Sequence, residues 1–138
     1  MKRIPYFHQE TDWTCGPAAM RIALATLGIK KSEKELARLM DTNKQRGTKD
    51  KAFSSLAEHF KLNYLVQRNA TIDDLRKILC LDFMVILCYY DSTEEVGHYA
   101  LVKKIDAKYI YLIDPIFGPH YKLLLSSFKK IWFGTDDR

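Results

Sequence analysis

Residues 98–114 read His98-Tyr99-Ala100-Leu101-Val102-Lys103-Lys104-Ile105-Asp106-Ala107-Lys108-Tyr109-Ile110-Tyr111-Leu112-Ile113-Asp114. Two alternating runs rich in β-branched and aromatic residues flank a short polar segment, which is the pattern of two antiparallel strands joined by a tight turn. Pro115 follows Asp114 and stops the second strand.

Working outward from this hairpin, residues 83–90 form a nearly continuous apolar run, expected as the central strand, and residues 121–125 supply a further strand. A short helix over 127–132 closes the chain, Thr71 is placed to cap a helix ending near Cys80, and residues 63–68 read as a short strand. The first half has a different character. Gly16 and Pro17, then an apolar stretch over 18–27, then Gly28, predict a helix with proline in its first turn and glycine just past its end. Ser32 and Glu35 form a capping box for a helix over 33–40, and Thr48 or Asp50 is placed to cap a third helix ending near Phe60. Residues 1–14 read as a loop or extended lead-in. The expectation is an α+β fold, with N-terminal helices packed on a C-terminal antiparallel sheet, in a single domain over 1–138.

Composition narrows the function. With 47% apolar and 28% charged residues the chain is ordinary globular material. The net charge of +5 is spread along the predicted helices, so no nucleic-acid partner is expected. No run reaches the roughly 20 apolar residues that span a bilayer. Three cysteines, without CxxC or finger spacing, argue against a disulfide framework and against a zinc site. The chain reads as a cytoplasmic protein with no membrane segment and no cofactor.

The cysteines differ in setting. Cys15 opens a predicted helix, where the dipole and unbonded N–H groups stabilise an anion such as a thiolate. Cys80 closes a helix and Cys88 lies inside an apolar run, so both are expected in the core. Gly16 leaves room for a substrate to approach the backbone, and the Cys15 N–H points toward an oxyanion formed beside the sulfur. His98, at the start of its strand, is placed at a sheet end as a base, and Asp114 at the end of the next strand is placed to orient it. His8, His59 and His120 have no comparable setting. Gln9, in the lead-in, is a candidate second oxyanion donor. The geometry makes one demand. A three-residue turn over 106–108 puts His98 diagonal to Asp114 on one face, whereas a two-residue turn puts them on opposite faces unless a bulge compensates.

The segment from Pro5 through Gln9, Trp13, Cys15, Gly16 and Pro17 to Ala19, with His98-Tyr99 and Asp114-Pro115, resembles the bacteriocin-processing, double-glycine leader peptidases and their stand-alone relatives. That resemblance implies a papain-like fold, a Cys15–His98 thiolate–imidazolium pair, Asp114 as orienting group, Gln9 in the oxyanion hole and a peptide or protein substrate. Thr14 stands where transporter-linked members commonly carry an acidic residue. The expected activity is that of a cysteine peptidase working through a thioester acyl-enzyme. The same residues suit a thiol acyltransferase or deamidase, and an inactive peptide-binding module is the reading outside enzymes.

Overall fold

A computed structural model describes residues 3–91 and 96–132, so part of the polar segment 91–97 lies outside the described residues. The chain divides into two compact units, Met1–Arg68 and Asn69–Arg138.

The first unit is a loop followed by three helices, α1 (Cys15–Thr26), α2 (Glu33–Leu39) and α3 (Lys51–His59). α1 buries Ala18, Ala19, Met20, Ile22, Ala23 and Leu24 and packs on α2, which buries Leu36 and Ala37. Its end follows from Gly28, whose φ of +87° suits a residue without Cβ. The Gly28 N–H donates to the Ala25 carbonyl at 3.0 Å and the Ile29 N–H to Leu24 at 2.8 Å, which is the Schellman arrangement. At α2 the Ser32 hydroxyl accepts the Glu35 N–H at 3.1 Å. Asp50 precedes α3 without a side-chain cap. The lead-in is tied to α1 through Arg21, whose guanidinium lies 3.8 Å from the Phe7 ring centre and 3.6 Å from the Glu10 carboxylate.

The strand expected over 63–68 is absent. These residues join no strand of the sheet, and Leu65 and Val66 are each 63% exposed. A β-favouring run becomes a strand only where a neighbour completes its ladder, and local sequence cannot supply that neighbour.

The second unit holds α4 (Ile72–Cys80), β1 (Ile86–Asp91), β2 (Val96–Ile105), β3 (Tyr109–Asp114), β4 (Gly118–Leu124) and α5 (Leu125–Trp132). Thr71 and Asp74 form a complete capping box for α4. The strands make an antiparallel meander in the order β1-β2-β3-β4. The apolar run therefore ends as an edge strand, not the central one, because consecutive hairpins place the first strand outermost. One face of the sheet, with Leu87, Tyr89, Ala100, Val102, Ile110 and Leu112, packs with Ile72 and Leu75 of α4 and Leu125 and Phe128 of α5. α4 is amphipathic, and Cys80 falls off its buried side. It is exposed and Cys88 is half-buried, so neither is the core cysteine expected from residue type.

Register decides where the site residues point. Ile105 pairs with Ile110, so the connection over 106–109 has an even number of residues. Asp106 fixes it, its Oδ1 accepting the Lys108 and Tyr109 N–H groups at 2.8 and 2.7 Å and its Oδ2 the Tyr111 hydroxyl at 2.7 Å. These bonds hold the exposed Asp106 carboxyl down at about 2. A bulge then follows: Val102 pairs with Leu112 and Lys104 with Tyr111, leaving Lys103 as the extra residue. The bulge restores the register of an odd-numbered turn, and His98 and Asp114 share the face that carries Ala100, Val102 and Leu112.

Candidate active site

Gln9 and Cys15 belong to the first unit, and His98 and Asp114 to the second. Cys15 is the first residue of α1 and is half-buried. Thr14 precedes it as N-cap, yet its side chain makes no capping bond. The Thr14 hydroxyl donates instead to Glu33 Oε2 at 2.8 Å and accepts from the Thr11 hydroxyl at 2.6 Å. The first N–H groups of α1 are thus unclaimed by the cap side chain, an arrangement that favours an anion beside the helix start.

Glu33 anchors this loop. Only 1% exposed, it accepts the Glu10 N–H at 2.7 Å as well as the Thr14 hydroxyl, both on Oε2, while Oε1 is buried with no hydrogen-bond partner. Burial pushes the Glu33 carboxyl up, more than these two bonds bring it down. Gln9 is also buried. Its amide nitrogen donates to the Thr11 carbonyl at 2.7 Å, and its Oε1 has no hydrogen-bond partner. A primary amide carries two N–H donors, so the Thr11 bond uses one of them. At Gly16 the space a Cβ would take is occupied by the chain itself: a Cβ there would lie 2.7 Å from Thr48 Cβ.

In the second unit, His98 is 2% exposed and Asp114 fully buried, and His98 Nε2 donates to Asp114 Oδ1 at 2.8 Å. The same oxygen accepts the Ile116 and Phe117 N–H groups at 2.8 and 3.0 Å, so Asp114 closes the β3–β4 turn as well as holding His98. Burial alone would push the Asp114 carboxyl up. The His98 bond and charge, the Tyr89 hydroxyl and the Phe117 N–H outweigh it and hold the carboxyl below its usual range. Tyr89 and Phe117 both meet the His98 ring edge-on, with centroids 5.6 and 6.2 Å away. His8, His59 and His120 are exposed.

The second unit thus holds a buried histidine bonded to a carboxylate, and the first has a cysteine opening its first helix. The peptidase C39 family matches residues 3–135. The chain belongs to that family. This C39 chain is 31% identical over 127 residues to an uncharacterized protein of Methanothermobacter marburgensis, covering 92% of this chain and 82% of that protein. Among solved structures it is similar to the peptidase domain of Streptococcus ComA, a bi-functional ABC transporter involved in quorum sensing. That match has a TM-score of 0.78 at 20% identity and covers 96% of this chain and 94% of the other. It is also similar to a double glycine motif protease of an AMS/PCAT transporter in complex with the leader peptide, with a TM-score of 0.55 at 16% identity, covering 96% and 88%. The fold is the α+β, papain-like fold expected. No helix among the described residues is long and apolar enough to cross a membrane.

Two residues around these groups escaped the sequence reading. Tyr89 is one letter in an apolar run, and Glu33 is the first residue of the helix that Ser32 and Glu35 open. No local signal separates either from its neighbours, because their importance comes from groups 25 and 19 residues away in the chain.

Proposed function

We propose that this C39 chain is a cysteine peptidase that hydrolyses peptide bonds through a thioester acyl-enzyme. The observation that carries the reading is the buried 2.8 Å His98–Asp114 bond in a chain of this family whose first helix begins at Cys15. Cys15 passes its thiol proton to His98 and its Sγ attacks the amide carbonyl carbon, and the oxyanion that forms takes hydrogen bonds from the Cys15 N–H and the Gln9 amide. Nε2 of His98 is committed to Asp114, so Nδ1 is the nitrogen that exchanges the proton. It protonates the leaving amine as the tetrahedral intermediate collapses to the thioester. It then takes a proton from the water that hydrolyses the thioester, releasing the acid and regenerating the thiol. No step calls on a metal or organic cofactor.

Cys15, His98, Asp114 and Gln9 carry these roles, in what we read as a single domain over 1–138. A peptide or protein is the substrate class, a reading supported by the structural relative solved with a leader peptide. A reducing compartment such as the cytoplasm keeps Cys15 a thiol. The test is a peptide-library digest read by mass spectrometry, comparing the unaltered protein with Cys15→Ala. Cleavage products with the former and none with the latter are expected; products that persist in Cys15→Ala reject the assignment.

A further inference from the structure

Tyr89 has no part in the mechanism above, yet its hydroxyl is buried and hydrogen-bonded in the second unit. It is 2% exposed and donates to Asp114 Oδ2 at 2.6 Å. The backbone fixes this encounter, because Tyr89 pairs directly with His98 across β1 and β2 while Asp114 lies diagonal to His98 on β3. The Tyr89 ring meets the His98 ring edge-on at 87° and packs on Phe128 of α5 at 6.5 Å.

The two carboxylate oxygens of Asp114 therefore have separate donors. Oδ1 receives His98 and the turn N–H groups, and Oδ2 receives Tyr89. A carboxylate gripped at Oδ1 alone retains freedom to rotate about its Cβ–Cγ bond, which swings Oδ1 out of line with His98 Nε2. A donor on Oδ2 removes that freedom. An O–H donor to a carboxylate at this length is a strong, charge-assisted bond, and it stabilises the ionised form that a fully buried aspartate would otherwise give up. Burial and the Asp114 charge in turn hold the Tyr89 phenol far above its ordinary range, so it stays a donor; Tyr121 and Asp91 are the other titratable groups whose charge reaches it.

We propose that Tyr89 is a positioning residue for the His98–Asp114 pair, keeping Asp114 ionised and aimed at His98 Nε2 through its hydroxyl. The consequence for catalysis rests on the function proposed above; the consequence for Asp114 does not. Tyr89→Phe keeps the ring, its contacts with His98 and Phe128 and nearly all its volume, and deletes only the donor.

The experiment follows the Asp114 side-chain carboxyl carbon by NMR across pH in both proteins, alongside peptide cleavage. In Tyr89→Phe the Asp114 midpoint is expected to rise by on the order of one pH unit, with kcat reduced roughly tenfold and KM within about twofold. A residue that served packing alone would leave the Asp114 midpoint where it was, and an unmoved midpoint overturns the proposal whatever the activity does. If the unaltered protein cleaves nothing, the peptidase reading fails while the titration still decides the role of Tyr89. If Tyr89→Phe does not fold, the unaltered protein decides: a Tyr89 hydroxyl proton that is shifted downfield and protected from exchange supports the proposal, and one that exchanges freely with water overturns it.

Discussion

Lys103 sits in the bulge of β2, and this single extra residue, offsetting the even connection over 106–109, is what leaves His98 and Asp114 on one face of the sheet, 2.8 Å apart. The pairing is a matter of parity. Deleting Lys103 gives an unbulged strand with the same partners, whereas deleting Lys103 and Lys104 together moves every pair beyond Ile105 by one residue. The single deletion is expected to retain peptide cleavage. The double deletion pairs Asp114 with Tyr99, on the face away from His98, and abolishes it. A doubly deleted protein that folds and still cleaves would refute the parity argument.

Asp114 serves two roles, turn closure and histidine orientation, so its substitutions separate by shape. Asp114→Ala leaves the His98, Ile116, Phe117 and Tyr89 donors without this acceptor and should cost roughly 3–5 kcal/mol of stability along with activity. Asp114→Asn preserves an acceptor oxygen and should cost well under half of that in urea denaturation. The Asp114 carboxyl is held below its usual range, so its contribution to stability is present above the unfolded value of 3.8 and lost as pH falls through the lower folded value. Asp114→Asn should therefore flatten the acid limb of the stability profile.

Glu33 predicts the opposite sign. Its carboxyl is raised above 4.5 by burial, so the folded protein binds that proton more readily than the unfolded chain does. Its favourable contribution is complete below 4.5 and declines as pH rises through the folded value. Glu33→Gln keeps an acceptor for the Glu10 N–H and the Thr14 hydroxyl without the buried charge. It is expected to be at least as stable as the parent at pH 7 and to lose that part of the pH dependence in denaturant titrations. Glu33→Ala strands both donors and should cost about 1–3 kcal/mol.

Gly16 is fixed by its own neighbour. A Cβ there would stand 2.7 Å from Thr48 Cβ, a separation real side chains do not adopt. Gly16→Ala should destabilise by about 1–3 kcal/mol in thermal or urea unfolding. Thr48→Gly removes every side-chain atom that the new methyl would meet, so the double variant should recover most of the loss. No recovery would mean that Gly16 is required for another reason.

Elements with a chemical boundary in the sequence were legible there. α1 has Pro17 and Gly28 at its two ends, α4 has its Thr71–Asp74 capping box, and β3 is bounded by Asp106 and Pro115. These signals are local, since a cap or a proline acts within one turn of the chain, and they suffice for an α+β order of elements. Cys15 at a helix start and the requirement that His98 and Asp114 share a face also follow from sequence, because strand alternation is a rule of backbone geometry. Whether the demand was met by an odd turn or by a bulge at Lys103 could not be read, since both parities suit the same residues. The tertiary structure alone decided that residues 63–68 pair with no strand of the sheet, that residues 86–91 lie at a sheet edge, and that Cys80 is exposed. It alone placed the Tyr89 hydroxyl on Asp114 and Glu33 under the loop before Cys15. The physical reason is common to all of these. Local sequence sets what a segment prefers, while burial, edge position and hydrogen-bond partner are properties of what the rest of the chain brings beside it.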